Sequence, residues 1–178
     1  MIWFTADHHF FHRNIIKYCN RPFPNPEEMH QRMIYEWNST VGNGDTVHYL
    51  GDLSLGSKSA TRRLLEALNG KKILYRGSHD RPSIKCPDLF EGMFTCELVS
   101  IHGQPIFLAH HCHKVWPRSH YNSWHLFAHS HTGLDAYAAS EGKLIDVGVD
   151  GHNFRPWSFE EIRKVMDTRP DNFNFIGR

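Results

Sequence analysis

Carboxylates and imidazoles recur along this chain in short, ordered clusters: Asp7-x-His9, Asp52, Ser78-His79-Asp80, His110 and His129-x-His131. Carboxylate oxygen and imidazole nitrogen are the donors taken by divalent zinc, manganese and iron, and such a set needs no thiolate. In an extended segment residues i and i+2 project to the same side. Asp7 with His9, and His129 with His131, are therefore expected each to converge on one point. A lone D-x-H or H-x-H reads equally well as a polar turn; the ordered series is a far stronger signal. Histidine is also overabundant, at fifteen of 178 residues, and it is both the commonest metal ligand and the side chain that titrates near neutral pH. His8, His12, His111 and His113 flank the clusters, and alternation is expected to turn them to solvent or to supporting positions.

Each cluster follows directly on an apolar run: residues 1–6 before Asp7, 46–50 before Gly51-Asp52, 71–75 before Ser78, 105–109 before His110 and 125–128 before His129. Such runs read as buried strands, and open α/β sheets bind ligands in the crevice beyond their strands' C-terminal ends. The spacing predicts a helix from Pro26, with Glu27 and Glu28 in its first turn and Met29, Met33, Ile34 and Trp37 on its buried side. Asn14 is placed to cap a short helix running to Cys19. Another helix is expected over 59–68, stopped by Asn69-Gly70. This β-α-β-α-β order predicts parallel strands with helical crossovers. Further on, 94–101 and 105–109 read as a hairpin and 143–149 as a strand. Ser158 and Glu161 have capping-box spacing and open a last helix to about Met166. The loop carrying Trp116, Arg118, His120 and Tyr121 is expected chiefly to pack.

The length suits a single domain over 1–178 with a proper core. A net charge of +1 gives no field to recruit nucleic acid or an anionic membrane. No apolar run reaches membrane-span length, so no membrane partner is expected. Cys19, Cys86, Cys96 and Cys112 form no C-x-x-C pair and are expected as reduced thiols of a cytoplasmic protein.

The ordered set Asp7-x-His9, Gly51-Asp52, Gly77-Ser78-His79-Asp80, His110 and Ala128-His129-Ser130-His131 resembles the calcineurin-like metallophosphoesterases. Their blocks read D-x-H, G-D, G-N-H-D, H and G-H-x-H, in that order, each just beyond a strand. The resemblance runs from Met1 to about the final helix, and stretches 5–16 and 147–156 are similar to the small single-domain branch of bacteria and phages. It implies an α/β fold: a four-layer αββα sandwich of two mixed β-sheets flanked by helices, with a dinuclear metal centre at its edge. The implied cofactors are two divalent ions, manganese first, with zinc, iron, nickel or cobalt as alternatives. One ion would be held by Asp7, His9, Asp52 and His131, and the other by Asp52, Ser78, His110 and His129. A carboxylate shared through its two oxygens can bridge cations about 3.5–4 Å apart. The implied reaction is hydrolysis of a phosphate ester by a water or hydroxide held between the ions, with His79 as general acid and Asp80 orienting that imidazole.

The chain departs from the family pattern at Ser78, where the family has asparagine, and at Ala128, where it has glycine. A serine hydroxyl is shorter and a poorer neutral ligand than an amide carbonyl. Ser78 is thus either a weak ligand of the second ion or merely a turn residue. The segment 53–56 lacks the arginine that phosphoprotein phosphatases carry soon after G-D. With little room for a cap domain, an open site suits diesters such as nucleotides, cyclic nucleotides or nucleic-acid ends. The alternative is a catalytically weak or inactive scaffold or binding module of the same fold, although His79 is a residue that a scaffold has no need to keep. Binding nucleic acid without catalysis would require a basic face. Nothing in the pattern specifies an oligomeric state.

Overall fold

In the computed structural model, which describes residues 1–177, the strands form two mixed sheets. The first sheet contains β1 (Ile2–Thr5), β2 (Thr46–Tyr49), β3 (Lys71–Tyr75) and β4 (Gly92–Phe94), parallel throughout and ordered β4-β3-β2-β1. The second contains β5 (Cys96–Ile101), β6 (Gln104–Ala109), β7 (Trp124–Phe127) and β8 (Leu144–Asp146) in sequential order. There β5 runs antiparallel to β6, and β6, β7 and β8 are parallel. A short β9 (Trp157–Ser158) pairs antiparallel with β1 and closes that edge of the first sheet. The helices are α1 (Ile15–Tyr18), α2 (Pro26–Thr40), α3 (Lys58–Ala67), α4 (Asp135–Glu141) and α5 (Phe159–Thr168).

Strand alternation sorts the apolar side chains into three spaces, and so the elements into layers. Trp3, Val47 and Leu74 face Met29, Met33 and Trp37 of α2 and Leu64 and Leu65 of α3. From the opposite face of the first sheet, Phe4 and Tyr75 meet Ile106, Leu108 and Leu126 of the second, with Phe159 and Ile162 of α5 joining them. On the outer face of the second sheet, Phe107, Phe127 and Leu144 pack with Ala138 of α4 and with Trp116. The architecture is α/β: two mixed sheets, face to face, flanked by helices. Among the described residues no helix is long and apolar enough to cross a membrane.

Local chemistry explains most element ends. Asn25 caps α2 by accepting from the Glu28 N–H at 2.9 Å, just before Pro26. Ser57 caps α3 on the Ala60 N–H. Asn14, by contrast, lies in helical conformation and makes no capping bond from its side chain, so the expected cap of α1 is absent. The arm expected over 94–101 is divided between sheets. Phe94 ends β4 beside Tyr75, its ring 5.8 Å away, and β5 begins at Cys96. Apolar alternation continues through both pieces, so it carries no mark of the change of sheet. Helix α4 has no capping side chain and buries only Ala138, which leaves no periodic signal to read.

Helix α5 opens with the expected capping box. The Ser158 hydroxyl accepts from the Glu161 N–H, while the Glu161 carboxylate accepts from the Ser158 N–H at 2.9 Å and from the Arg155 guanidinium at 2.6 Å. Burial opposes ionisation of Glu161, but the bonds from Arg155 and Ser158 outweigh it and hold the carboxyl down at about 2. A depressed carboxyl stabilises the fold above its unfolded value of 4.5, and that contribution is lost as pH falls through about 2. Glutamine can keep the cap but not the charge. Glu161→Gln should therefore cost about 0.5–1 kcal/mol at pH 7, and urea titrations of the two proteins should converge as pH is lowered from 4.5 toward 2.

Candidate metal centre

The loops beyond the strands are kinked, not extended. Asp7, His9, Asp52, His129 and His131 all have positive φ, between 46° and 70°. The expected i, i+2 alternation is therefore not what aims them: successive left-handed turns do, and Asp and His enter that region more readily than most side chains. The β1–β2 ladder continues through the kinks, with the Asp7 N–H donating to the Gly51 carbonyl and the His9 N–H to the Asp52 carbonyl, each at 3.0 Å. This pairing holds the loops as firmly as the strands. Gly51 and Gly77 touch where they cross. A Cβ at Gly51 would lie 2.6 Å from the Gly77 nitrogen, and one at Gly77 would lie 2.3 Å from Asp52 Oδ1. Neither position has room for a side chain.

The second sheet reaches this point through two hydrogen bonds. His110 Nδ1 lies 2.7 Å from the Leu50 carbonyl oxygen. A carbonyl can only accept, so Nδ1 carries the proton and Nε2 is left on the side of Asp52 Oδ2, 3.4 Å away. The His129 N–H donates to Asp7 Oδ2 at 2.7 Å. His110 and His129 thus join Asp7, His9 and Asp52 at one spot, and the His131 ring lies 5.1 Å from that of His9.

Four overlapping trios each bring one ligand atom per residue within 4.8 Å of one another: Asp7–His9–His131, Asp7–Asp52–His110, His110–His111–His129 and Cys19–His131–Asp150. Several of the atoms involved have no protein partner although they are buried: Asp7 Oδ1, both ring nitrogens of His9 and His110 Nε2. Leaving such a group unpaired costs about 1–3 kcal/mol each. Burial pushes the Asp7 carboxyl up to about 7, a rise that His131 and His110 offset in part, and pushes His9 down to about 3. Both shifts are what removal from water does to a group whose charged form lacks a partner. A divalent cation supplies the missing partner for carboxylate and neutral imidazole alike, so this donor set fits metal.

Asp52 is fixed by the main chain on one side and faces imidazoles on the other. Its Oδ1 accepts the His79 N–H at 2.7 Å, which leaves Oδ2 alone between His9 Nε2, at 3.7 Å, and His110 Nε2, at 3.4 Å.

Asp80 departs from the expectation that it orients His79. Its Oδ2 accepts the N–H groups of Asp52 and Gly77, at 2.9 and 2.7 Å, and its Oδ1 those of Leu53, at 3.1 Å, and the Ser83 hydroxyl. The buried carboxylate clamps the β2 and β3 loops together and makes no hydrogen bond to the His79 ring. His79 itself lines the cleft, its ring 5.6 Å from that of His9. Ser78 is exposed and does not line the cleft.

Two residues central to the arrangement carried no sequence signal. Arg21 is buried and forms a two-pronged pair with Asp150, Nε to Oδ1 at 2.7 Å and Nη2 to Oδ2 at 2.8 Å, while also donating to the carbonyls of Asp7 and His8. Asp150 Oδ2 in turn accepts from His131 Nδ1 at 2.7 Å. Burial would depress His131, but Asp150, a bond with Cys19 and the nearby Asp7 together outweigh it and lift the imidazole to about 10. Nothing but closeness in sequence connected Asp150 with the ligand blocks, and Arg21 stands in an ordinary Asn-Arg-Pro turn. His111, expected at solvent or in support, is exposed and packs against His110 and His129. His8, expected at solvent or in support, is fully buried against Phe10, Trp37 and Tyr49. Trp116 and His113 pack under their loop, away from the cleft. The cleft has a volume of about 630 Å³; Ile15, Tyr18 and His12 also line it, as does Cys19, which adjoins His131.

No family model matches the chain. It is 36% identical over 171 residues to the uncharacterized protein MJ1445 of Methanocaldococcus jannaschii, across 93% of this chain and 91% of that one. The chain belongs to the same family as MJ1445. The gene 66 protein of Mycobacterium phage L5 is 36% identical over 83 residues, covering 45% of this chain and 40% of that protein. A crystal structure of the protein of unknown function AQ665 from Aquifex aeolicus matches with a TM-score of 0.72 at 23% identity, over 93% of this chain and 98% of that chain. That likeness is one of fold.

The two roles assigned to Asp80 make opposite predictions for stability. As a clamp, Asp80→Ala strands three backbone N–H groups and should cost about 3 kcal/mol or more in urea unfolding. His79→Ala, at an exposed side chain, should change stability by no more than about 0.5 kcal/mol.

Proposed function

We propose that this chain is a metal-dependent phosphoesterase of the calcineurin-like type, acting on diesters in preference to phosphoproteins. The observation that carries the reading is the gathering of carboxylate and imidazole side chains from the ends of β1, β2, β6 and β7 beside one open cleft, with Asp7 Oδ1, both His9 ring nitrogens and His110 Nε2 buried and unpartnered. The layering of helices and two mixed sheets supports the four-layer metallophosphoesterase fold as its setting. Asp7, His9, Asp52 and His131 would hold one ion, and Asp52, His110 and His129 contribute to the seat of a second. Bound there, divalent cations would lower the pKa of water at the site and neutralise phosphoryl oxygens as charge develops in an in-line displacement.

The chain's own residues do the rest. His79 lies beside the ligands with its backbone N–H fastened to Asp52 Oδ1, so the imidazole is placed by the main chain at the same carboxylate that faces the ions. From there it can hydrogen-bond the phosphoryl group and protonate the leaving oxygen. Asp80 contributes by holding the Gly51–Leu53 and Gly77 backbones together, which positions Asp52 and His79 jointly. Asp150, braced by Arg21, orients the His131 ring and leaves Nε2 as its free nitrogen. The open cleft admits a substrate with groups on both sides of the phosphorus, and Ile15, Tyr18 and Cys19 offer a surface for one of them.

The test is hydrolysis of an aryl phosphodiester with manganese, zinc, iron, cobalt or nickel. The wild type should turn over, and Asp52→Asn should abolish the activity. His79→Ala should lower kcat by about 10²–10⁴-fold with metal content unchanged. Absence of turnover with all five metals, on monoesters as well as diesters, would overturn the proposal. Asp150→Asn should weaken divalent-cation affinity by about 10–100-fold, as read by calorimetry on the chelator-stripped protein.

A further inference from the structure

Ser78, the expected neutral ligand of the second ion, is exposed, and neither it nor His111 lines the cleft; what separates the two is the company His111 keeps. His111 groups with two of the histidines expected at that seat. The His111 ring lies 4.6 Å from that of His129 and 4.9 Å from that of His110, and the three bring ligand nitrogens within 4.8 Å of one another. The juxtaposition is built into the second sheet. β6 and β7 are parallel neighbours that end in register, and the Ala128 N–H donates to the His110 carbonyl at 2.9 Å. That bond sets the residues after β6 beside the residues after β7. His110 also belongs to the trio with Asp7 and Asp52, so the histidine group adjoins Asp52 Oδ2 and is not a separate surface patch.

We infer that the second cation is seated by His110, His111 and His129 with Asp52 Oδ2, and that His111 supplies the ligand Ser78 does not. The inference rests on the two-metal reading above and specifies one of its sites. It also has a consequence for metal choice. Three imidazoles and a single carboxylate oxygen form a softer, more nitrogen-rich set than one completed by a hydroxyl, and such sets favour zinc, cobalt or nickel over manganese. The site joined by Asp7, His9, Asp52 and His131 has two carboxylates and two imidazoles, so the two seats should differ in preference.

The experiment is metal titration of the chelator-stripped full chain, with bound metal counted by elemental analysis and cobalt followed by its visible absorption. The wild type should take up two ions. His111→Ala should take up one tightly, with affinity at the other seat reduced by at least about 10-fold, a changed cobalt spectrum and an unchanged melting temperature. Ser78→Ala should match the wild type throughout. Two ions bound by His111→Ala at wild-type affinity, or loss of one in Ser78→Ala, would overturn this inference and leave the two-metal reading standing. A wild-type chain that takes up fewer than two ions of any of these metals would overturn both.

Discussion

Two hydrogen bonds tie the end of one sheet to the end of the other: the His110 imidazole donates to the Leu50 carbonyl, and the His129 N–H donates to the Asp7 carboxylate. Elsewhere the sheets meet chiefly through apolar packing, which tolerates small slides because dispersion contacts have no direction, with the Tyr75 hydroxyl donating to Glu97 as a further polar link. Hydrogen bonds have direction. By crossing the seam with ligand residues, the fold makes the register between its sheets and the geometry of the site one and the same. The parallel bridge between Ala6 and Gly148 sits at the same seam, and a Cβ at Gly148 would lie 3.0 Å from Asp7 Oδ2. The two halves of the site thus close on each other without slack.

Electrostatics at the seam follow from that closure. Asp7 and Asp52 are carboxylates withdrawn from water, and each is compensated in a different way. Asp52 has the nearby His110 and the His79 N–H, and although burial opposes ionisation these hold its carboxyl well below the usual range. Asp7 has one N–H bond and an empty-handed Oδ1, and burial prevails. Arg21 brings a fixed positive charge beneath both but spends its donors on Asp150 and on two carbonyls. It braces the site from below without neutralising the ligands.

Which of this could be read from residues alone depends on how local the cause was. The strands before Asp7, Asp52, Ser78, His110 and His129 were visible because each is a short apolar run with an abrupt polar end, and α5 because its capping box is a four-residue pattern. The grouping of Asp7, His9, Asp52, His110, His129 and His131 was readable for the same reason, since each follows a strand that the sheets then gather. The aiming mechanism was not, because left-handed φ at an aspartate or histidine leaves no compositional mark. Long-range partners were equally silent. Asp80 reads as the neighbour of His79, yet its hydrogen bonds lie at Asp52 and Leu53. Arg21 and Asp150 are 129 positions apart, and only the meeting of the sheets makes them a pair.

The kinked loops also say something about the economy of the fold. Five ligand residues occupy left-handed backbone conformations that an L-residue enters at a cost on the order of 1 kcal/mol apiece. Glycine would relax each of them and would offer no ligand atom in return. It would also remove the bonds that close the site, since Asp7 Oδ2 and Asp52 Oδ1 accept the His129 and His79 N–H groups and His131 Nδ1 donates to Asp150, so the strain sits where side chains hold the sheet ends together.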